Sequence, residues 1–207
     1  MSIVLAFGHK ARQGKDLAAK AIIEQRGHLY DIKTYAFAAV PKFELNQVDQ
    51  FALCMKLGVP YDFSRPMSDP LCQTEHGKQS ALLQRVANDA RKKDPNRWVK
   101  IVADQIAKDK PQVAIVTDIR YRNEFNWVRS MGGTTVKFTR LGFVDLSRDP
   151  NHISEVDLDG VTFDYEVTSR EGDTDQLKED AVTVFDLVLH SMQPDVAALS
   201  ELCAVRS

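Results

Sequence analysis

The sequence predicts an α/β fold with a mainly parallel central sheet. Three observations carry that prediction. Short continuous apolar runs at residues 3–7 and 113–117 suit strands buried on both faces. An alternating run at 134–139 marks a third strand, and stretches of helical periodicity separate these runs.

In order along the chain, residues 3–7 (IVLAF) form the first strand and stop at Gly8. Residues 17–25 (LAAKAIIEQ) form a helix with Leu17, Ala21 and Ile22 on one face and Gly27 as its stop. Residues 32–37 are a second strand, and 43–57 have helical spacing through Phe43, Val48, Phe51, Ala52 and Met55. Gly58, Pro60, Pro66, Pro70 and Gly77 punctuate an irregular stretch at 58–79, a length more typical of a functional segment than of a plain connector. Helices at 80–91 and 98–107 follow, parted by the 92–96 break (KKDPN). After the 113–117 strand come a helix at 124–130, the pair Gly132–Gly133, and the 134–139 strand. A polar stretch at 141–159 leads to a short strand at 164–168 and an amphipathic helix at 174–189. That helix turns Leu177, Ala181, Val184, Phe185 and Val188 inward. Trp98, Trp127 and most phenylalanines are expected in the core.

Composition narrows the function classes. A chain of 207 residues can bury a core without disulfide or metal staples. Its 27 Lys+Arg against 29 Asp+Glu leave a net charge of -2, mildly against a dedicated duplex-DNA binder. Cys54, Cys72 and Cys203 form no C-x-x-C pair, so neither a disulfide scaffold nor a cysteine metal site is expected. The apolar N-terminal run is short and precedes Lys10, Arg12 and Lys15, the wrong order for a signal peptide. No apolar stretch reaches the ~18 residues of a membrane helix. The expectation is a cytoplasmic protein.

Ligands of parallel α/β folds gather beyond the carboxyl ends of the strands. Gly8-His9-Lys10-Ala11-Arg12-Gln13-Gly14-Lys15-Asp16 stands at the first such end. A glycine-bounded strand-to-helix turn points backbone N–H groups at one spot, and the helix N-terminus adds partial positive charge. Lys15, directly after Gly14, would reach the β- and γ-phosphates of a nucleotide. Five residues rather than four separate the glycines, and Asp16 replaces the usual Ser/Thr beside Mg²⁺. A carboxylate there could ligate the ion directly or through water. An ordinary basic βα turn is the alternative for the loop taken alone.

Asp118 sits at the exit of the second apolar strand, where phosphate-loop enzymes hold Mg²⁺. Arg120 could grip a phosphate with its planar fork, and Glu124 could orient Arg120. The alternative has Asp118 capping the next helix and Arg120–Glu124 as a surface i,i+4 pair.

Residues 7–16 (FGHKARQGKD) resemble the Gly-Lys-Asp phosphate loop of bacteriophage deoxynucleoside monophosphate kinases. Three further pieces follow in that family's order. Leu82-Leu83-Gln84, with Arg91 and the 94–99 run DPNRWV, is similar to its segment from a Leu-Gln pair to a Trp-Val pair. Thr117-Asp118-Ile119-Arg120 with Glu124 resembles its Asp-x-Arg…Glu element, and His152-Ile153-Ser154-Glu155 its His-x-x-Glu element. Together these span most of the chain from 1 to about 185. Ala87-Asn88 stand where the family shows a Gly-Thr pair, and 37–80 match it least.

The resemblance implies a P-loop NTPase three-layer sandwich with a small lid. It also implies transfer of the ATP γ-phosphoryl group to a deoxynucleoside monophosphate, with Mg²⁺. The kinase domain would cover 1–190, with an acceptor-binding insertion at about 38–97, a lid at about 140–160 and a tail at 191–207. Gly8, Lys10, Ala11, Arg12, Gln13, Gly14, Lys15 and Asp16 would bind ATP, and Asp16 and Asp118 the metal. Phe37, Gln84, Arg91, Arg120 and Glu124 would serve the acceptor. Lys15, Asp118 and Arg120 would act in catalysis with the lid arginines Arg140 and Arg148. Solubility on an exposed loop is the alternative for the lid arginines, a helix-surface position for Gln84, and a helix N-terminal turn for His152 and Glu155. Two rival functions stand beside this one: a kinase for a 5-hydroxymethylpyrimidine hydroxyl within modified-base DNA, with Lys92, Lys93, Arg97 and Lys100 as a local patch, and a non-catalytic nucleotide-binding module. The partners expected are ATP and a deoxynucleotide, with no membrane and, as an option, a second copy in a homodimer.

Overall fold

The computed structural model describes residues 2–37, 88–143 and 150–192. The elements are β1 (Ile3–Gly8), α1 (Lys15–Arg26), β2 (Ile32–Tyr35), α2 (Arg97–Asp109), β3 (Val113–Ile119), α3 (Arg122–Ser130), β4 (Thr134–Leu141), α4 (Ile153–Val156), β5 (Tyr165–Arg170) and α5 (Thr174–Met192). Residues 88–93 are also helical. The expected segments at 43–57 and 58–79, Gln84, Arg148, the three cysteines and the tail from 193 lie outside the described residues.

The five strands run in the order β2-β3-β1-β4-β5, and every neighbouring pair is parallel. The fold is α/β, with helices on both faces of the sheet, compatible with a P-loop NTPase-like sandwich. β1 lies at the centre, buried from Val4 to Gly8. Its pleat sends Leu5 and Phe7 to one face and Val4 and Ala6 to the other.

Those two faces build two cores. Leu5, Phe7, Ile115 and Phe138 pack against α1 and α5 through Ala18, Ile22, Leu177 and Phe185. Val4, Ala6, Val116 and Ile119 pack against α2 and α3 through Trp98, Val102, Phe125 and Val128, with Leu158 and Phe163 closing one end. Trp98 is thus core, as its sequence context suggests. Burying apolar side chains on both faces is what makes the β1 and β3 runs continuous rather than alternating.

Several boundaries differ from those the periodicity suggests. α1 begins at Lys15, two residues early, because Gly14 turns the chain into the helix from a left-handed conformation (φ 89°). β3 continues to Ile119, so Asp118 is the penultimate strand residue rather than a strand terminator. β2 ends at Tyr35, two residues short, while β4 and β5 run on to Leu141 and Arg170. α5 extends to Met192 and buries Val182 and Leu189, whereas Val184 is only partly buried.

Gly14 is the position where side-chain freedom is decided by the backbone. A Cβ there would lie 2.7 Å from Leu177 Cδ2, which can move, but the positive φ would remain. Gly14→Ala is therefore expected to lower the unfolding free energy by about 1–2 kcal/mol. Urea denaturation reads this, and an unchanged midpoint would show that the loop does not need the left-handed turn.

Candidate functional site

The β1–α1 loop and the ends of β3 enclose one cleft of about 290 Å³, lined by Arg12, Gln13, Gly14, Lys15, Asp16, Leu17, Thr117, Asp118 and Arg120. It lies where the chain, having laid β2 and β3 on one side of β1, crosses to lay β4 on the other. Open α/β sheets form their binding crevices at such points. Two sequence-predicted groups, one after β1 and one at the end of β3, thus meet in a single place.

Lys15 opens α1 and is only 6% exposed. Its Nζ donates to the Lys10 carbonyl oxygen across the loop. Burial lowers its pKa to about 7, with the Arg120 guanidinium pushing the same way and Asp118, Asp16 and Glu155 opposing. Arg12 adopts a left-handed backbone (φ 54°) and lines the cleft beside it. Gln13 ties the loop to β4: its Oε1 accepts the Arg140 N–H at 2.5 Å, and its Nε2 donates to the Ala11 carbonyl at 3.1 Å.

Asp118 does not cap the following helix. Its Oδ1 accepts the Phe37 N–H at 2.8 Å, and Tyr121 is the N-cap of α3. Phe37 itself is a correction. Its ring is 2% exposed and packs edge-on against Trp127 with centroids 5.9 Å apart, so its backbone supports the site while its side chain belongs to the core.

Glu124 neither orients the Arg120 guanidinium nor forms a surface pair with it. It is 1% exposed, and its Oε2 accepts the Arg120 and Tyr121 N–H groups at 2.8 and 3.2 Å, completing a capping box for α3. Its other oxygen takes Arg91 Nη2 at 3.3 Å. Arg91 also lies flat over the Tyr121 ring, 4.0 Å from its centroid. Arg91 and Arg120 thus both meet the β3–α3 turn, Arg91 through Glu124 and Tyr121 and Arg120 from within it.

The partner of the Arg120 guanidinium is Glu155, at 2.7 Å. The other Glu155 oxygen accepts the Ala11 N–H of the β1–α1 loop at 3.1 Å. His152 fulfils the plainer of its two expectations. It is the N-cap of α4, and its Nδ1 accepts the Ser154 N–H at 3.2 Å. Asp157 and Asp159 extend the contacts of this turn. Asp157 accepts the Arg122 N–H at 2.8 Å, and Asp159 stands 2.9 Å from His9 Nε2. Nothing in the spacing of these acids marks them for that task; only the H-x-x-E pattern points to the region. Leu158 anchors the turn in the core at 2% exposure. Residues 152–159 thus form a turn in contact with the β1–α1 loop and the β3–α3 turn.

Arg140 contributes its backbone to the loop, but its guanidinium turns to Glu171 Oε1 at 3.2 Å and lies over Phe143. Among the described residues no group of three or more His, Cys, Asp or Glu side chains is arranged as a metal cage. Asp16 and Asp118 both face the cleft, which suits an ion held by one or two carboxylates plus a ligand's phosphates. No described helix is long and apolar enough to cross a membrane.

Comparison with protein-family models gives no match, and no curated protein is similar to this chain at a significant level.

Glu124 makes a direct prediction. Burial, and then the nearby Asp118 charge, raise its carboxyl from 4.5 to about 7. The folded-state pKa lies above the unfolded one, so its stabilising contribution is complete below the unfolded pKa and is lost as the pH rises through about 7. Thermal and urea unfolding of Glu124→Gln should show the variant losing ground to wild type at about pH 5 and recovering about 2–3 kcal/mol of that difference by about pH 8. A pH-independent difference would mean that Glu124 is ionised throughout.

Proposed function

We propose that this chain is an ATP-dependent kinase that transfers the γ-phosphoryl group to a deoxynucleoside monophosphate. The observation that carries the reading is the convergence of a buried lysine, a strand-to-helix turn, two carboxylates and two arginines in one cleft. A buried amine at a helix N-terminus suits an anion, and Asp16 and Asp118 suit the cation that travels with a nucleoside triphosphate. The four segments resembling bacteriophage deoxynucleoside monophosphate kinases supply the choice of acceptor.

The chemistry asked of these residues is placement and charge neutralisation. An acceptor phosphate oxygen forms a bond to Pγ as the bond from Pγ to the β,γ-bridging oxygen breaks, and the electron pair leaves on ADP. Lys15, with the N–H groups of the loop and first helical turn, would hold the donor phosphates. Arg120 would stand against the transferring group, and Arg91, held by Glu124 of the neighbouring turn, would serve the acceptor phosphate. Asp16 and Asp118 would hold Mg²⁺, which when bound offsets phosphate charge.

Lys15 makes this reading measurable without turnover. An incoming polyphosphate restores the amine's proton, so binding above about pH 7 should take up a proton. The association constant for inorganic tripolyphosphate should therefore fall by up to about tenfold per pH unit above neutrality. Calorimetry in buffers of different ionisation enthalpy reads the proton directly. In Lys15→Ala the pH dependence should vanish; if it survives unchanged, Lys15 is not the phosphate ligand.

ADP formation should be followed with Mg²⁺-ATP against the four deoxynucleoside monophosphates, modified pyrimidine monophosphates and hydroxymethyluracil-containing DNA. Turnover with a free monophosphate is expected, falling by about a thousandfold or more in Lys15→Ala. Turnover with DNA alone would move the acceptor to the polymer, and binding without turnover on any acceptor would leave a nucleotide-binding module.

A further inference from the structure

The acidic turn at 152–159 has a part that the proposed function does not use. Glu155 is 7% exposed and bridges two pieces of the site that are far apart in sequence, the Ala11 N–H and the Arg120 guanidinium. The turn around it is tied to the rest of the structure at several points. His152 and Ser154 cap it locally, Leu158 is buried in the core, Asp157 accepts the Arg122 N–H of the β3–α3 turn, and Asp159 lies 2.9 Å from His9 Nε2. A carboxylate fixed in this way orients whatever it binds.

Among the described residues, Glu155 is the partner of the Arg120 guanidinium. The Arg120 N–H goes to Glu124, which fixes the backbone and leaves the side chain to Glu155. A long, rotamer-rich guanidinium loses directional binding unless a fixed partner holds one edge of its fork. With Nη1 on Glu155, Arg120 lines the same cleft as Lys15.

We infer that Glu155 is the positioning residue of the site: its carboxylate fastens the β1–α1 loop to the β3 exit and holds Arg120 against the anion that Lys15 binds. The inference rests on the phosphate-binding reading of the cleft, and the experiment separates the two.

The test is a double-mutant cycle on tripolyphosphate binding, read by calorimetry on the full chain. Arg120→Ala should weaken binding about tenfold in the wild-type background and less than about threefold in Glu155→Gln, because Arg120 is no longer aimed there. Lys15→Ala is the control: its effect should differ between the two backgrounds by clearly less than that of Arg120→Ala. Glu155 reaches Lys15 through charge alone and Arg120 through a direct bond, whereas a general loosening of the loop would change both alike. Glu155→Asp keeps the charge but is one methylene too short to reach both partners, and should lose the same coupling. If Glu155→Gln fails to fold, Glu155→Asp carries the cycle. Equal losses from Arg120→Ala in both backgrounds would overturn the role of Glu155 while leaving the phosphate site intact. Failure of the wild-type chain to bind tripolyphosphate would overturn the phosphate site and this inference with it.

Discussion

A lysine amine taken out of water must either find compensation or give up its proton, and Lys15 stands at that balance. It is nearly fully buried, its nearest acceptor is the Lys10 carbonyl, and its pKa sits near 7 instead of 10.5. Much of the surrounding structure follows from that position. The left-handed Gly14 brings the residue to the first turn of α1, and the β1 strand, buried on both faces, fixes where that turn begins. Carboxylates at Asp16, Asp118 and Glu155 favour the charged amine, while Arg120 disfavours it. The cleft thus sets Arg12, Lys15 and Arg120 among Asp16, Asp118 and Glu155, a site of closely balanced charge.

The second organising contact is a carboxylate rather than a cation. Glu155 joins two elements whose relative position the sheet alone sets only approximately. β1 and β3 are hydrogen-bonded neighbours with a register shift between Ala6 and Gly8, close to the point where the loop departs. Such an irregularity frees the chain to leave the sheet, and a side-chain tie beyond it restores a defined spacing between loop and strand exit. Glu124 does the same for the β3–α3 turn from within, through the Arg120 and Tyr121 N–H groups. The two acids divide the work. Glu124 fixes the Arg120 backbone, and Glu155 its guanidinium.

Much of the fold was legible in the local sequence. The apolar runs at β1 and β3 must be buried on both faces, which implies a parallel sheet under helices, and the described residues have that architecture. The glycine-bounded loop and Asp118 lay at strand ends, so their meeting followed from the fold class. Glu124 and Phe37 were harder to place. A glutamate three residues after a helix N-cap can face solvent or fold back on the N–H groups, and only the depth of α3 on the sheet selects the buried arrangement. Phe37 lies two residues beyond β2, and whether its ring faces the cleft or the core depends on Trp127, which is 90 residues away in sequence.

By itself the sequence determined the strand and helix pattern, the parallel sheet it requires, and the chemistry offered at the ends of β1 and β3. Hydrophobic periodicity and turn residues are local properties, so neighbours along the chain suffice to express them. The tertiary structure alone decided which acid meets which base. Arg120 has Glu124 four residues away and Glu155 thirty-five away, and it gives its backbone to the first and its guanidinium to the second. Charge pairing is settled by distance and burial in the folded chain, and neither is written in the spacing of the residues.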